Sequence, residues 1–272
     1  MKAGSEQPRY VHVLGAPLLV TTYADLTRRC VEWAGWSRPT TVAFSNTQIV
    51  TMIRHDPAFR RVMGTFDCLV SDSTPLTWCM NWAGAGLRDR VYGPAFMRYF
   101  LERAPAGSTH YLVGGSEECA ERLRRRFTAA NPGLRFVGGY HGRCLEDGSL
   151  DPADEARVLS EINRLGPDFL WICFGAPKQQ RWAARYKERL RRGVVLVVGF
   201  AFEANAGLKP DAPAWMQRAG LTWLYRMATE PRRLGPRYLK YNTLFLWYLL
   251  RDGMRGRAWG PWPVAGSHPV RV

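Results

Sequence analysis

The sequence predicts an α/β protein: a Rossmann-like, largely parallel sheet flanked by helices, with a basic helical C-terminal appendage. Three observations carry this expectation. Short β-branched runs alternate with longer amphipathic stretches, the signature of strand–helix–strand units. Several of the helical stretches open on a proline, which suits the first turn because its missing N–H is unpaired there anyway. Strand signals then stop after Gly207, and the composition turns aromatic and basic.

In chain order, the predicted strands are Val11–Leu14, Thr41–Phe44, Cys68–Val70, His110–Val113, Arg135–Val137, Phe169–Cys173 and Val194–Val198. The helical stretches between them are Thr22–Trp33, Pro57–Met63, Pro75–Trp82, Pro94–Arg103, Glu117–Thr128, Pro152–Asn163 and Pro177–Leu190. Residues 1–207 read as the Rossmann-like α/β unit and 208–272 as the appendage. From Lys209 onward eleven basic residues face three acidic ones, interleaved with Trp223, Tyr225 and Tyr238. From Gly256 the chain is rich in Gly, Pro and Trp, and no regular element is expected there.

With 38 basic and 23 acidic residues the chain carries a net charge of +15, which calls for an anionic partner. The six cysteines are scattered without a C-x-x-C pair and read as reduced thiols. The five histidines show no zinc spacing. Met1–Pro8 is polar and lacks the apolar run of a signal peptide. The apolar stretch Leu244–Leu250 is far short of the roughly 20 residues a spanning helix needs. Contact with a membrane is compatible with this sequence, and crossing one is not.

Candidate chemistry falls at strand ends, where open parallel sheets bind ligands. Asp72 follows a strand and precedes a proline-opened helix; it is either a general base or an N-cap. Asn46 offers donor and acceptor groups to sugar hydroxyls or a base edge, or caps a helix. Gly114-Gly115-Ser116 forms a strand-to-helix turn suited to a pyrophosphate, or an ordinary turn capped by Ser116. Lys178 and Gln179 follow Gly175-Ala176-Pro177, and a lysine in a first helical turn opposes the helix dipole unless an anion is near. Glu203 either binds sugar hydroxyls or is an exposed loop acid. Arg226, Arg232, Arg233 and Arg237 suit phosphate chelation, or form a solvated basic face. His141 is expected to be a hydrogen-bonded structural residue.

Together and in this order, these features resemble the WecG/TagA/CpsF glycosyltransferase family, over roughly residues 11–250. The resemblance is densest in Arg90-Val91-Tyr92-Gly93-Pro94, in Gly175-Ala176-Pro177-Lys178-Gln179 and in Ala214-Trp215-Met216-Gln217-Arg218. It continues in Gly220-Leu221, Trp223-Leu224-Tyr225-Arg226, Glu230-Pro231-Arg232-Arg233-Leu234 and Arg237-Tyr238-Leu239.

What it implies is a metal-independent, inverting transferase that needs no cofactor. The donor would be a UDP-sugar and the acceptor a sugar on a polyprenyl diphosphate. The protein would be peripheral on the cytoplasmic face of the inner membrane, in contact with an anionic lipid surface. Asp72 matches the family aspartate proposed as base. Asn46 and Gln179 match polar donor-site positions, and Arg226 matches the appendage arginine that completes the site.

Five positions depart from the family pattern: Ser73 for glycine, Ala95 for aspartate, Gln180 for glutamate, Glu203 for aspartate, and Phe44 where some members carry threonine. They favour a hexose other than N-acetylmannosamine. An oxidoreductase or epimerase of similar alternation would need a glycine fingerprint near Leu14-Gly15-Ala16-Pro17, which is absent. No nucleic-acid-binding pattern is present. A non-catalytic scaffold of the same fold is the remaining alternative, and pairing of subunits through an apolar surface is compatible with the sequence.

Overall fold

The computed structural model describes residues 7–254. The polar start of the chain before residue 7 and the Gly/Pro/Trp-rich tail from Gly256 lie outside the described residues. Eight strands form one sheet in the order β1-β2-β4-β3-β8-β7-β5-β6. These are β1 (Tyr10–Val13), β2 (Ala16–Leu19), β3 (Pro39–Ser45), β4 (Cys68–Ser71), β5 (Thr109–Gly114), β6 (Arg135–Tyr140), β7 (Phe169–Cys173) and β8 (Gly193–Val197). All pairings are parallel except β1 with β2.

Alternation along the central strands splits the core in two. Ala43, Leu170, Ile172, Val195 and Val197 face one layer of helices. Val42, Phe44, Trp171, Val194 and Leu196 face the other. This is the period-2 geometry of strands covered on both sides.

On the first face lie α2 (Thr47–His55), α3 (Pro57–Met63), α4 (Thr74–Trp82), α7 (Pro152–Leu165) and α8 (Lys178–Tyr186). On the second lie α1 (Tyr23–Ala34), α5 (Gly93–Arg103), α6 (Glu117–Ala130) and α9 (Ala201–Asn205). The proline starts hold for α3, α4, α5 and α7, each with its proline in the first two positions. In α8 the proline lies just outside, as the cap.

Three elements depart from the sequence reading: β2, α2 and α9, the last a short helix that holds Glu203 where a loop was the plainer expectation. The first predicted strand is one arm of a hairpin. Leu14 (φ +48°) and Gly15 (φ +86°) make the tight turn into β2. Two positive φ values are what a two-residue hairpin loop requires, but leucine is an unusual occupant of the first. Pro17 also masks the second arm as strand, although its lack of an N–H is harmless in a short arm near the sheet edge.

The second departure is α2, a helix the β-branched run Ile49-Val50-Thr51 does not announce. Asn46 caps it, its Oδ1 accepting from the Ile49 N–H at 3.1 Å. Gln48 through Ile53 are all buried, so tertiary packing overrides propensity here.

The appendage comprises α10 (Ala214–Arg218), α11 (Thr222–Thr229) and α12 (Pro231–Met254). Helix α12 lies along α2. Phe245 and Tyr248 join the first-face core. Around them, Asp252 pairs with Arg54 (2.8 Å), the Tyr248 hydroxyl meets His55 Nδ1 (2.7 Å), and Thr47 donates to Asn242 (3.1 Å). Among the described residues no helix is long and apolar enough to cross a membrane.

Candidate active site

The carboxyl ends of β3, β4, β5, β7 and β8 converge on one edge of the sheet. The chain reverses its direction of growth between β3 and β8, and such a switch point leaves a crevice. A cavity of about 570 Å³ opens there, walled on its far side by α11 and α12. A second cavity, of about 430 Å³, lies between α4 and the appendage. Both are lined by Asn46, Asp72, Tyr92, Arg226 and Tyr238, so these residues stand where the two meet.

The cavities differ in chemistry. The larger holds Glu203, Lys209, Arg226, Glu230, Arg233 and Arg237. The smaller is lined by Trp78, Trp82, Trp223, Phe245, Leu246 and Leu249, and by Arg90.

Asp72 follows β4 directly but does not cap α4. The residue in that position, Ser73, makes no side-chain cap. Instead Asp72 Oδ1 accepts the N–H of Gly93, the first residue of α5, at 2.6 Å. Its carboxylate therefore sits at the positive end of a helix it does not belong to. Burial nonetheless pushes its pKa up to about 6. The Gly93 hydrogen bond and the Arg90 and Arg226 guanidinium groups pull the other way, and Asp211 adds to the rise. The group is thus ionised at neutral pH yet basic enough to accept a proton.

Arg90 and Tyr92 are functional candidates to which residue-by-residue reading assigned no chemistry. Arg90 is 6% exposed, lies over the Tyr92 ring (4.4 Å) and donates to Thr222 Oγ1 of the appendage at 2.9 Å. The Tyr92 hydroxyl donates to Asp211 at 2.8 Å. Both side chains tie the strand-end loop beside Asp72 to the segment after Gly207. The available signal was the block Arg90–Pro94 itself, a basic and aromatic loop immediately before a proline-opened helix.

The remaining predicted residues divide. Asn46 is both the α2 cap and a wall of both cavities, so its two readings coexist. Gly115 lines the larger cavity, but its N–H is taken by the Cys173 carbonyl at 3.1 Å. Gly114 sits behind it with φ +90°, where a Cβ would collide with that same carbonyl, and its own carbonyl meets His141 Nδ1 at 3.1 Å. This turn is a close strand-to-strand approach, and Ser116 caps α6 as the plainer alternative had it.

Gln179 lines the cavity, with Oε1 accepting from Gly175 N–H at 3.1 Å. Lys178 points elsewhere, pairing with Glu146 at 2.8 Å, which supplies the anion its helix position demanded. Glu203 is in the wall but is bridged by Lys209 at 2.9 Å. Lys209 reaches Glu230 as well, at 3.4 Å.

Of the four arginines, Arg226, Arg233 and Arg237 line the cavity, and Arg232 lines neither cavity. Arg233 pairs with Glu230 at 2.6 Å, which holds that carboxyl below its ordinary range. Arg237 donates to Gln48, and burial lowers its pKa.

Apart from Asp72, the larger cavity sets four cations (Lys209, Arg226, Arg233, Arg237) against two carboxylates (Glu203, Glu230), leaving two positive charges uncompensated. Phe44, Gln180 and Glu203, three of the five departures from the family pattern, stand in its wall, and Ser73 stands in the other cavity.

Comparison with known proteins agrees with this geometry. The chain is similar to N-acetylglucosaminyldiphosphoundecaprenol N-acetyl-beta-D-mannosaminyltransferases of Staphylococcus aureus, among them those of strains NCTC 8325 / PS 47 and COL. Each is 24% identical over 211 residues, spanning 77% of this chain and 79% of the relative. The model of the WecG/TagA/CpsF glycosyl transferase family matches residues 11–258, the span that contains the whole cleft and the appendage closing it, and the chain therefore belongs to that family.

Proposed function

We propose that this protein is an inverting, metal-independent hexosyltransferase. It moves a sugar from a UDP-sugar onto a sugar carried by a polyprenyl diphosphate, in cell-surface polysaccharide assembly. One observation carries the reading: Asp72 stands where a cationic cavity and an apolar one meet. A nucleotide diphosphate matches the surplus positive charge of the first, and a polyprenyl chain matches the tryptophans and leucines of the second. The named S. aureus relatives act on a diphosphoundecaprenol-linked sugar, which supports an acceptor of this class.

In the reaction, the acceptor hydroxyl oxygen forms a bond to the anomeric carbon on the face opposite the diphosphate. The bond from that carbon to the diphosphate oxygen breaks, and UDP leaves with the electron pair. Asp72 takes the hydroxyl proton. Such a base contributes typically about 10²–10⁴-fold. Arg226, Arg233, Arg237 and Lys209 face the charge that grows on the leaving group, the role a metal ion plays elsewhere.

The departures at Phe44, Gln180 and Glu203 support a hexose other than N-acetylmannosamine. Exposed Trp82, Leu246, Trp247 and Leu250, on a strongly basic chain, support peripheral docking on an anionic membrane face.

The test is UDP release from a panel of UDP-sugars, with polyprenyl-diphosphate-sugar acceptors, in the presence of a chelator. Acceptor-dependent release from one UDP-hexose is expected. Release that stops with the chelator would remove metal independence, and none from any donor would remove the reaction.

A further inference from the structure

Arg226 differs from the other cations of the larger cavity in how it is held. Lys209 and Arg233 rest on carboxylates, and Arg237 donates to Gln48. The Arg226 guanidinium makes no side-chain hydrogen bond among the described residues; its ion pair with Glu230, at 3.9 Å, is long enough to leave the N–H donors untaken. What it does touch is a ring face: its Cζ stands 3.8 Å from the centroid of Phe200. Phe200 belongs to the body, in the turn between β8 and α9, while Arg226 belongs to α11 of the appendage. Both side chains line the larger cavity and neither is buried, so the stack is built at the cavity wall and not in the core.

We infer that Phe200 is a positioning residue: its ring holds the Arg226 guanidinium in place while leaving all of its N–H donors for the diphosphate of the donor. The physical reason lies in how a guanidinium can be gripped. A carboxylate partner would take two donors and cancel the charge. A ring face attracts the cation through its quadrupole, perpendicular to the plane that carries the donors. The plane then remains open to a bidentate phosphate contact. Because ring and cation come from opposite sides of the cleft, the stack also completes the diphosphate site only when the appendage is seated on the body. This inference rests on the donor reading above, and it adds a residue to which neither the family resemblance nor the sequence reading gave a role.

The experiment is a double-mutant cycle read by calorimetric titration of UDP, with acceptor-dependent UDP release as a second readout. Phe200→Leu and Phe200→Met, two apolar variants without a ring, are expected to weaken UDP binding by roughly 3- to 30-fold, the range of a cation–π contact. Phe200→Tyr and Phe200→Trp keep a ring face and are expected to stay within about twofold of wild type. In an Arg226→Ala background, Phe200→Met is expected to have no further effect, because its partner is gone.

Circular dichroism and Tm separate unfolding from loss of the stack. If Phe200→Leu unfolds, Phe200→Met and the aromatic pair carry the same expectation. Equal UDP affinity in the ring and no-ring variants, or additive losses in the cycle, would overturn the inference, as would wild-type protein that does not bind UDP. Coupled losses in UDP binding without transfer to any acceptor would leave the stack standing and remove the reaction instead.

Discussion

The body and the appendage contribute to one cleft by different physical means. Asp72, Asn46 and Gln179 come from strand ends or the first turns after them. There the ladder hydrogen bonds of a buried parallel sheet fix the backbone. Arg226, Arg233 and Arg237 come from helices that reach the body through side chains: the Phe200 stack, the Arg90–Thr222 bond, the Arg54–Asp252 pair and the Phe245 and Tyr248 contacts. The body therefore supplies the base in a rigid frame. The appendage supplies the cations and most of the apolar lane on a docked helical arm, which local changes can loosen.

Breaking the body's contribution gives the largest effect. Asp72→Asn removes the base while keeping an acceptor for the Gly93 N–H, and transfer is expected to fall by about 10²–10⁴-fold with UDP affinity nearly unchanged. In the wild type kcat/KM should rise tenfold per pH unit up to about 6 and level off above it, because only the ionised form accepts a proton. A carboxyl whose pKa is raised on folding adds stability at low pH and loses it as pH rises through the folded value. Asp72→Asn is therefore expected to raise Tm at pH 8, the gain shrinking as pH falls from about 6 and vanishing only below the ordinary carboxylate value of 3.8. Unimpaired transfer by the variant would remove Asp72 from the mechanism.

Loosening the appendage comes next. Burial alone would raise the Asp252 pKa, but hydrogen bonds from Arg54 and Arg251 outweigh it and leave it lowered. Its contribution is therefore present above the ordinary carboxylate range and lost as pH falls through the lowered value. Asp252→Asn is expected to cost about 1–3 kcal/mol at pH 7. It should weaken UDP binding in parallel if the appendage is what seats Arg226. A Tm loss with unchanged UDP binding would show that the arginines stay in place without this anchor.

The smallest effect falls on the apolar lane. Trp82→Ser and Leu246→Ser replace exposed side chains and are expected to leave stability within about 0.5 kcal/mol of wild type. KM for a polyprenyl acceptor should rise severalfold, while KM for the same sugar diphosphate on a short alkyl chain stays unchanged. Equal changes for both acceptors would place the lipid elsewhere.

Much of this arrangement was legible in the primary structure. Alternating apolar runs fixed which residues became strands, because a doubly covered sheet needs them. Proline starts marked α3, α4, α5 and α7. Asp72, Asn46, Gln179, Arg226, Arg233 and Arg237 were named from their place after strands or in the basic block, and all line the cleft. What stayed hidden depended on partners distant in sequence. Lys178 turned to Glu146, Glu203 to Lys209, and the Gly115 amide to Cys173. A side chain's role there is set by whichever opposite charge or carbonyl the fold brings within reach.

The sequence by itself determined the α/β alternation, the basic character of the last quarter and the residue types able to perform acid–base and phosphate chemistry, since these follow from local periodicity and composition. Only the tertiary structure decided that Ile49-Val50-Thr51 would be helical, that Asp72 would cap α5 instead of α4, and that Arg226 would meet Phe200. Each depends on burial and on contacts between segments far apart in the chain. Those terms outweigh local propensity by more than the few tenths of a kcal/mol per residue that separate helix from strand.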